Sequence, residues 1–182
     1  MTTWTIDPVH TQIEFSVRHM GLSTVRGRFR SFGGTVTADE SGAPAAVAVD
    51  IESASIDTSA ADRDAHLRSP DFFDAAAHPT LTFRSTGVRA IGGNRFEVVG
   101  DLTMHGVTRP ITLEADIGEP VRDPWGRQRR AAVVAGKLNR KDFGLTWNQI
   151  LEAGALLVGE EVRLTFDVQV TSSEAAVETV SA

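Results

Sequence analysis

The chain has 182 residues, 41% of them hydrophobic and 23% charged, with a formal net charge of −6 and no cysteine. A single globular domain fits that length. Disulfides and thiolate metal sites are excluded, and the acidic balance argues against nucleic acid, whose binding rests on lysine and arginine neutralising phosphates.

The N-terminus, MTTWTIDPVH, has neither a basic start nor an apolar run. No signal peptide is expected, and the cytoplasm is the simplest location. No stretch approaches the length of a membrane span, so no transmembrane segment is expected either.

Trp4 and Ile6 alternate with polar neighbours, and Asp7-Pro8 turns the chain. Ile13, Phe15 and Val17 then alternate with Gln12, Glu14, Ser16 and Arg18, the period of a half-buried strand. Met20-Gly21-Leu22 breaks it. Residues 25–37 predict a second strand with a bulge at Gly33-Gly34. A turn at 39–44 leads to a third strand through Val47, Val49 and Ile51.

Residues 58–79 interrupt this pattern with helix formers. Asp62 to Arg68 predict a helix capped by Thr58 or Ser59, and Ser69-Pro70 stops it. Ser69 can cap a second short helix, with Phe72 and Phe73 anchoring it on a core.

Alternation then resumes. Leu81 and Phe83 mark a fourth strand, with a hairpin turn at Gly92-Gly93-Asn94. Phe96 to Met104 predict a fifth, His105-Gly106 a turn, and Ile111 to Ile117 a sixth. Residues 119–129 read as a loop and 131–138 as a seventh strand. Residues 139–159 read as a loop with a helical turn around Trp147 to Glu152. Val162 to Val170 predict an eighth strand. Residues 172–182 lack a strand period and are expected to be a flexible C-terminal tail, leaving 1–171 as one domain.

Eight sequential strands predict an all-β fold, an eight-stranded antiparallel up-and-down barrel with a short helical insert. Closure removes unpaired edges. A filled Greek-key sandwich is the alternative that periodicity leaves open.

Five histidines, His10, His19, His66, His78 and His105, are the possible metal ligands or bases. None forms an HxxxH pair, so no metal site is expected. His19 shares the parity of Phe15 and Val17 and could meet a ligand head group at a strand end. No nucleophile elbow occurs. The carboxylates Asp62, Asp64, Asp71 and Asp74 read as caps and dipole partners of the insert. Asp142 could pair with Arg68 to pin a loop onto the helix. Arg26, Arg28 and Arg30 alternate on one strand side and read as a solvated face.

Four blocks carry a resemblance. IDPVHTQIEFSVRHMGLSTVRGRFRSFGGTV, DRDAHLRSPDFFD, GDLTMHGVTRPITL, and NRKDFGLTWN with VGEEV follow in that order. Together they closely resemble the YceI-like family of bacterial lipid-binding proteins, over about residues 4–170. The resemblance implies a lipocalin-like barrel, often a homodimer, whose elongated apolar pocket takes a polyisoprenoid chain, as in polyprenyl pyrophosphate or an isoprenoid quinone, or a fatty-acid-like amide. Many relatives are secreted, and the N-terminus described above departs from them.

On that resemblance Phe15, Val17, Phe29, Phe83 and Leu138 are expected to line a tunnel, with His19, Met20, Phe143, Leu145, Trp147 and Ile150 towards its mouth. The implied function is non-catalytic binding of a long apolar lipid, as carrier, store or sink. No catalytic residue and no cofactor beyond such a lipid are expected. The rivals are an enzyme acting on a lipid or quinone head with His19 or Asp142 as base, and a structural stress protein with a filled barrel.

Overall fold

A computed structural model describes residues 1–172. Twelve strand segments form one antiparallel sheet that closes on itself. In chain order they are β1 (Thr2–Ile6), β2 (Gln12–His19), β3 (Ser23–Phe29), β4 (Phe32–Ala38), β5 (Pro44–Glu52), β6 (Ile56–Asp57), β7 (Thr80–Gly92), β8 (Arg95–Met104), β9 (Val107–Ile117), β10 (Val121–Arg122), β11 (Gln128–Asn139) and β12 (Val158–Ser172). One helix, α1 (Ala61–Arg68), lies between β6 and β7.

The segments reduce to the eight predicted staves. β1 and β2 both pair with β12 and make one bent stave. β3 with β4, and β5 with β6, make the next two, because β4 pairs with β1 and β5 while β3 pairs with β2 and β6. β7, β8, β9, β11 and β12 complete the ring, and the long β11–β12 ladder from Arg129↔Thr171 to Asn139↔Glu161 seals it.

Local chemistry explains the bend in the first stave. Between Ile6↔Val170 and Gln12↔Asp167 the chain advances six residues against three on β12. The excess is stitched down by the Asp7 and Thr11 contacts to Gln169: the Asp7 amide and Thr11 hydroxyl donate to its carbonyl, and its amide donates back to the Thr11 oxygen. Bulges of this kind increase twist and help a sheet to close.

Several local expectations need correction. No bulge sits at Gly33-Gly34; the pairing shifts between Thr37 and Ala38, and the stave breaks at Arg30-Ser31 instead. The residue preceding α1 is Ala60, which makes no side-chain cap, because Thr58 is turned towards Asp64. Ser69 does not start a second helix. Its hydroxyl donates to the His66 carbonyl, and Asp74 at φ 45° interrupts the following turns. Trp147 to Glu152 are not helical; short 3₁₀ turns occupy Arg140–Phe143 and Glu152–Gly154. Ser172, placed in the tail by sequence, ends β12 opposite Trp4. The rest of the expected tail, 173–182, lies outside the described residues.

The barrel has two rims. The N-terminal rim carries the start of β1 and the turns 39–43, 93–94 and 118–127. The lid rim carries α1, the turns at 20–22 and 105–106, and the loop 140–157. Phe72 is buried, and Leu67 and Phe73 pack beside it against the main core.

Candidate functional site

Inward-facing residues of the staves leave a cavity of about 280 Å³ inside the barrel. Eight staves leave room for little more than side chains or one small ligand. The wall is apolar along its length: Ile13, Phe15 and Val17 from β2, Phe29 from β3, Phe83 from β7, and Val134 and Leu138 from β11. Leu67, Phe72 and Phe73 close the lid end.

Two glycines make this wall possible. A side chain at Gly27 would strike the Phe15 ring, and one at Gly100 would strike the Phe83 ring and the Arg84 carbonyl. Both aromatic rings therefore lie across the backbone of the neighbouring stave. Phe15 and Phe29 meet at 5.8 Å between centroids, and Phe29 meets Phe73 edge-on at 5.8 Å. The aromatic run thus continues from the wall into the lid.

Of the polar residues bordering the cavity, Thr11, Arg130 and Arg140 share the inward parity, while Glu14 alternates with Ile13 and Phe15 and stands opposite the outward Arg28. The Thr11 hydroxyl is engaged with the Gln169 backbone. Arg140 is buried at 5% exposure at the lid end. Its Nε donates to the Gly159 carbonyl, Nη1 to those of Leu145 and Trp147, and Nη2 to that of Val158. Burial pulls its pKa below the usual arginine value, with Glu160 opposing that shift. The guanidinium holds the 145–159 loop against the lid rim.

Of the residues expected at the site, Phe15, Val17, Phe29, Phe83, Leu138 and Leu145 border the cavity. The other five stand elsewhere. His19 shares the parity of Val17, but β12 shifts register between Val158 and Val162, and Val158 fills the wall there. Met20 turns at φ 54° and is 40% exposed. Phe143 is buried beneath a separate surface depression bordered by Asp142, Lys137 and Glu161. Trp147 backs the lid, 5.3 Å from Phe72 and edge-on to His66 at 4.7 Å. Ile150 is 77% exposed in a small bridge with Leu156.

Arg68 does not reach Asp142. It donates to the carbonyls of Ala54 and Ile56. Arg26, Arg28 and Arg30 point away from the cavity, as Phe29 requires, and Arg28 and Arg30 pair with Asp57. Among the histidines, His78 and His105 are in edge contact at 5.2 Å and His66 pairs with Asp71. Among the described residues no group of three His, Asp or Glu is placed to hold a metal. No helix among them is long and apolar enough to cross a membrane.

Sequence reasoning missed Arg130 and Arg140. Arg130 carries a signal: it shares the parity of Ala132, Val134 and Leu138, but it falls between the loop read over 119–129 and the strand read over 131–138. Arg140 carried none, since its carbonyl partners lie up to nineteen residues along the chain.

Comparison with known proteins gives a consistent pattern. A family model described as YceI-like domain matches residues 4–170. The protein YceI of Escherichia coli O157:H7 is 44% identical over 138 residues, 75% of this chain and 71% of that one. Burkholderia cenocepacia BcnA superposes with a TM-score of 0.77 at 21% identity, over 90% of this chain and 98% of that one. A polyisoprenoid-binding domain from Saccharophagus degradans, implicated in plant cell wall breakdown, gives a TM-score of 0.68 at 15% identity, over 92% and 97%. Both structures share the barrel.

Proposed function

The chain belongs to the YceI-like family, and from that membership we propose that it binds a long apolar lipid inside the barrel, most simply a polyisoprenoid or the tail of an isoprenoid quinone. The observation that carries the reading is the apolar cavity running from the N-terminal rim to Phe72 and Phe73. A domain described as polyisoprenoid-binding has the same fold. The cavity lies near the small end of ligand pockets, ~300 Å³, which suits one slim chain with any ring or head at a rim.

The driving force is burial. Each methylene removed from water contributes ~0.8 kcal/mol. About ten of them contribute ~8 kcal/mol before ordering costs, the scale of a micromolar Kd. Such a site selects width and length before chemical identity. Phe15, Val17, Phe29, Phe83, Leu138 and Leu145 form the contact surface in this reading. The role is that of carrier, store or sink, without chemistry on the ligand.

Organic extraction and native mass spectrometry of gently purified protein test it. A lipid at a substantial fraction of one per chain is expected. Protein that is empty and that binds neither quinones nor polyprenols would leave the filled barrel as the better reading.

A further inference from the structure

Arg130 is a cation built into the N-terminal rim of the cavity. It lies opposite Val170 of β12, on the inward parity of Ala132 and Val134, and borders the cavity with them. Its Nε donates to the Gly118 carbonyl at 2.8 Å, beside its own stave. Its Nη1 donates to the Gly42 carbonyl at 2.7 Å. Gly42 sits in the turn leading into β5, four staves around an eight-stave ring. The side chain therefore crosses the mouth from one wall to the other.

Neither carbonyl neutralises its charge. The neighbouring Arg129 is paired with both Asp7 and Asp123. Arg130 has no ion pair among the described residues. A guanidinium carries five N–H donors, and the two bonds to Gly118 and Gly42 use two of them. Nη1 and Nη2 keep three between them, enough for a two-point contact with a carboxylate or phosphate. Arg140, at the other end, is different: all three of its nitrogens are engaged by backbone carbonyls.

We infer that Arg130 binds an anionic head group, carboxylate or phosphate, of an amphiphile whose chain lies in the barrel. This rests on the lipid-binding reading above and narrows its ligand to acidic lipids. The head sits at the N-terminal rim and the chain end points at Phe72 and Phe73. On binding, the Arg130 contact to Gly42 is exchanged for the ligand's oxygens, so the same side chain opens the mouth and holds the head.

The test compares cis-parinaric acid with its methyl ester, two fluorescent probes of equal chain and different head charge. Delipidated wild type, Arg130→Gln and Arg130→Lys are titrated with each, and circular dichroism checks that every variant is folded. Arg130→Gln should weaken parinarate binding about tenfold, as expected for loss of a charge-assisted contact, and change ester binding less than about twofold. Arg130→Lys should recover part of the acid affinity, since it keeps the charge but not the fork. Equal losses for acid and ester, or no loss for either, would overturn the assignment while leaving lipid binding standing. Wild type that binds neither probe would overturn the assignment where quinones or polyprenols still bind, and would refute lipid binding itself where they do not. Acetate in about thousandfold excess should not displace parinarate; displacement would make Arg130 a site for small free anions and not for a lipid head.

Discussion

Asp7 joins the bend of the first stave to the β10–β11 hairpin. Its carboxylate lies 2.9 Å from the His10 imidazole, accepts Arg129 at 2.7 Å and also accepts the Val9 amide. These contacts, that with His10 foremost, hold its pKa down at about 2 against the opposing effect of partial burial. The ordinary value is 3.8. A carboxyl depressed on folding contributes stability that is present above the unfolded value and lost as pH falls through the folded one. The expected window is therefore pH 4 down to pH 2. Asp7→Asn should lower stability at pH 7 by about 1 kcal/mol, or about 3 °C in Tm, and should flatten the Tm decline across that window. Thermal melts by circular dichroism at stepped pH check both effects; a variant whose Tm falls as steeply as wild type below pH 4 would remove Asp7 from the acid response. At this scale the apolar wall was legible and the charged one was not. Alternation alone places Phe15, Val17 and Phe29 inside, because strand side chains alternate between faces. It places Arg130 inside too, but a cation there contradicts the expectation that charges face water. Only the carbonyls of Gly42 and Gly118 show why it is tolerated.

The insert between β6 and β7 was legible as an element and misread in its ends. Its eight helical residues are too few to be stable alone, and its stability has to come from what holds it. Asp64, buried at 7% exposure, accepts both the Thr58 amide at 2.8 Å and the Thr58 hydroxyl at 2.6 Å. Arg63 adds bonds to the Thr58 hydroxyl and carbonyl. The helix is thus fastened by a side chain reaching back from its first turns, not by a cap ahead of it. Spacing could not decide between the two arrangements, because each uses a short polar residue a few positions away. Asp64→Ala leaves the Thr58 donors buried without their acceptor and should cost about 2 kcal/mol. Asp64→Asn keeps one carbonyl oxygen and should cost about half as much. Urea unfolding reads the global effect, while hydrogen exchange across residues 58–79 should show the Ala variant's amides exchanging faster than those of β8 and β9. Uniform exchange changes in all staves would mean that Asp64 holds the barrel and not the lid.

At the scale of the molecule, the eight periodic runs specify eight staves, and closure follows because an open sheet would leave β11 and β12 with unpaired edges. Of these two, β11 was legible only in part, since its first residues read as loop. A closed ring has one inside, so the parity of a single strand fixes what a ligand can touch. Phe15 is inside, with the Gly27 backbone behind its ring, and Arg26, Arg28 and Arg30 are outside, two of them held by Asp57. Replacing all three arginines with Gln should weaken quinone binding by less than about tenfold, ~1.4 kcal/mol. Replacing Phe15 with Asp should abolish binding, because an unpaired carboxylate in a dry wall is heavily penalised. Quenching of tryptophan fluorescence during quinone titration reads the outcome. Trp4 lines the cavity and Trp147 backs the lid, whereas Trp125 is 76% exposed and serves as the bystander. Circular dichroism must first confirm that Phe15→Asp is folded; Phe15→Asn, which carries no charge, provides a milder second variant with intermediate affinity. If the arginine triple variant loses binding while folded Phe15→Asp retains it, the lipid lies on the outer face, and the cavity is not the site.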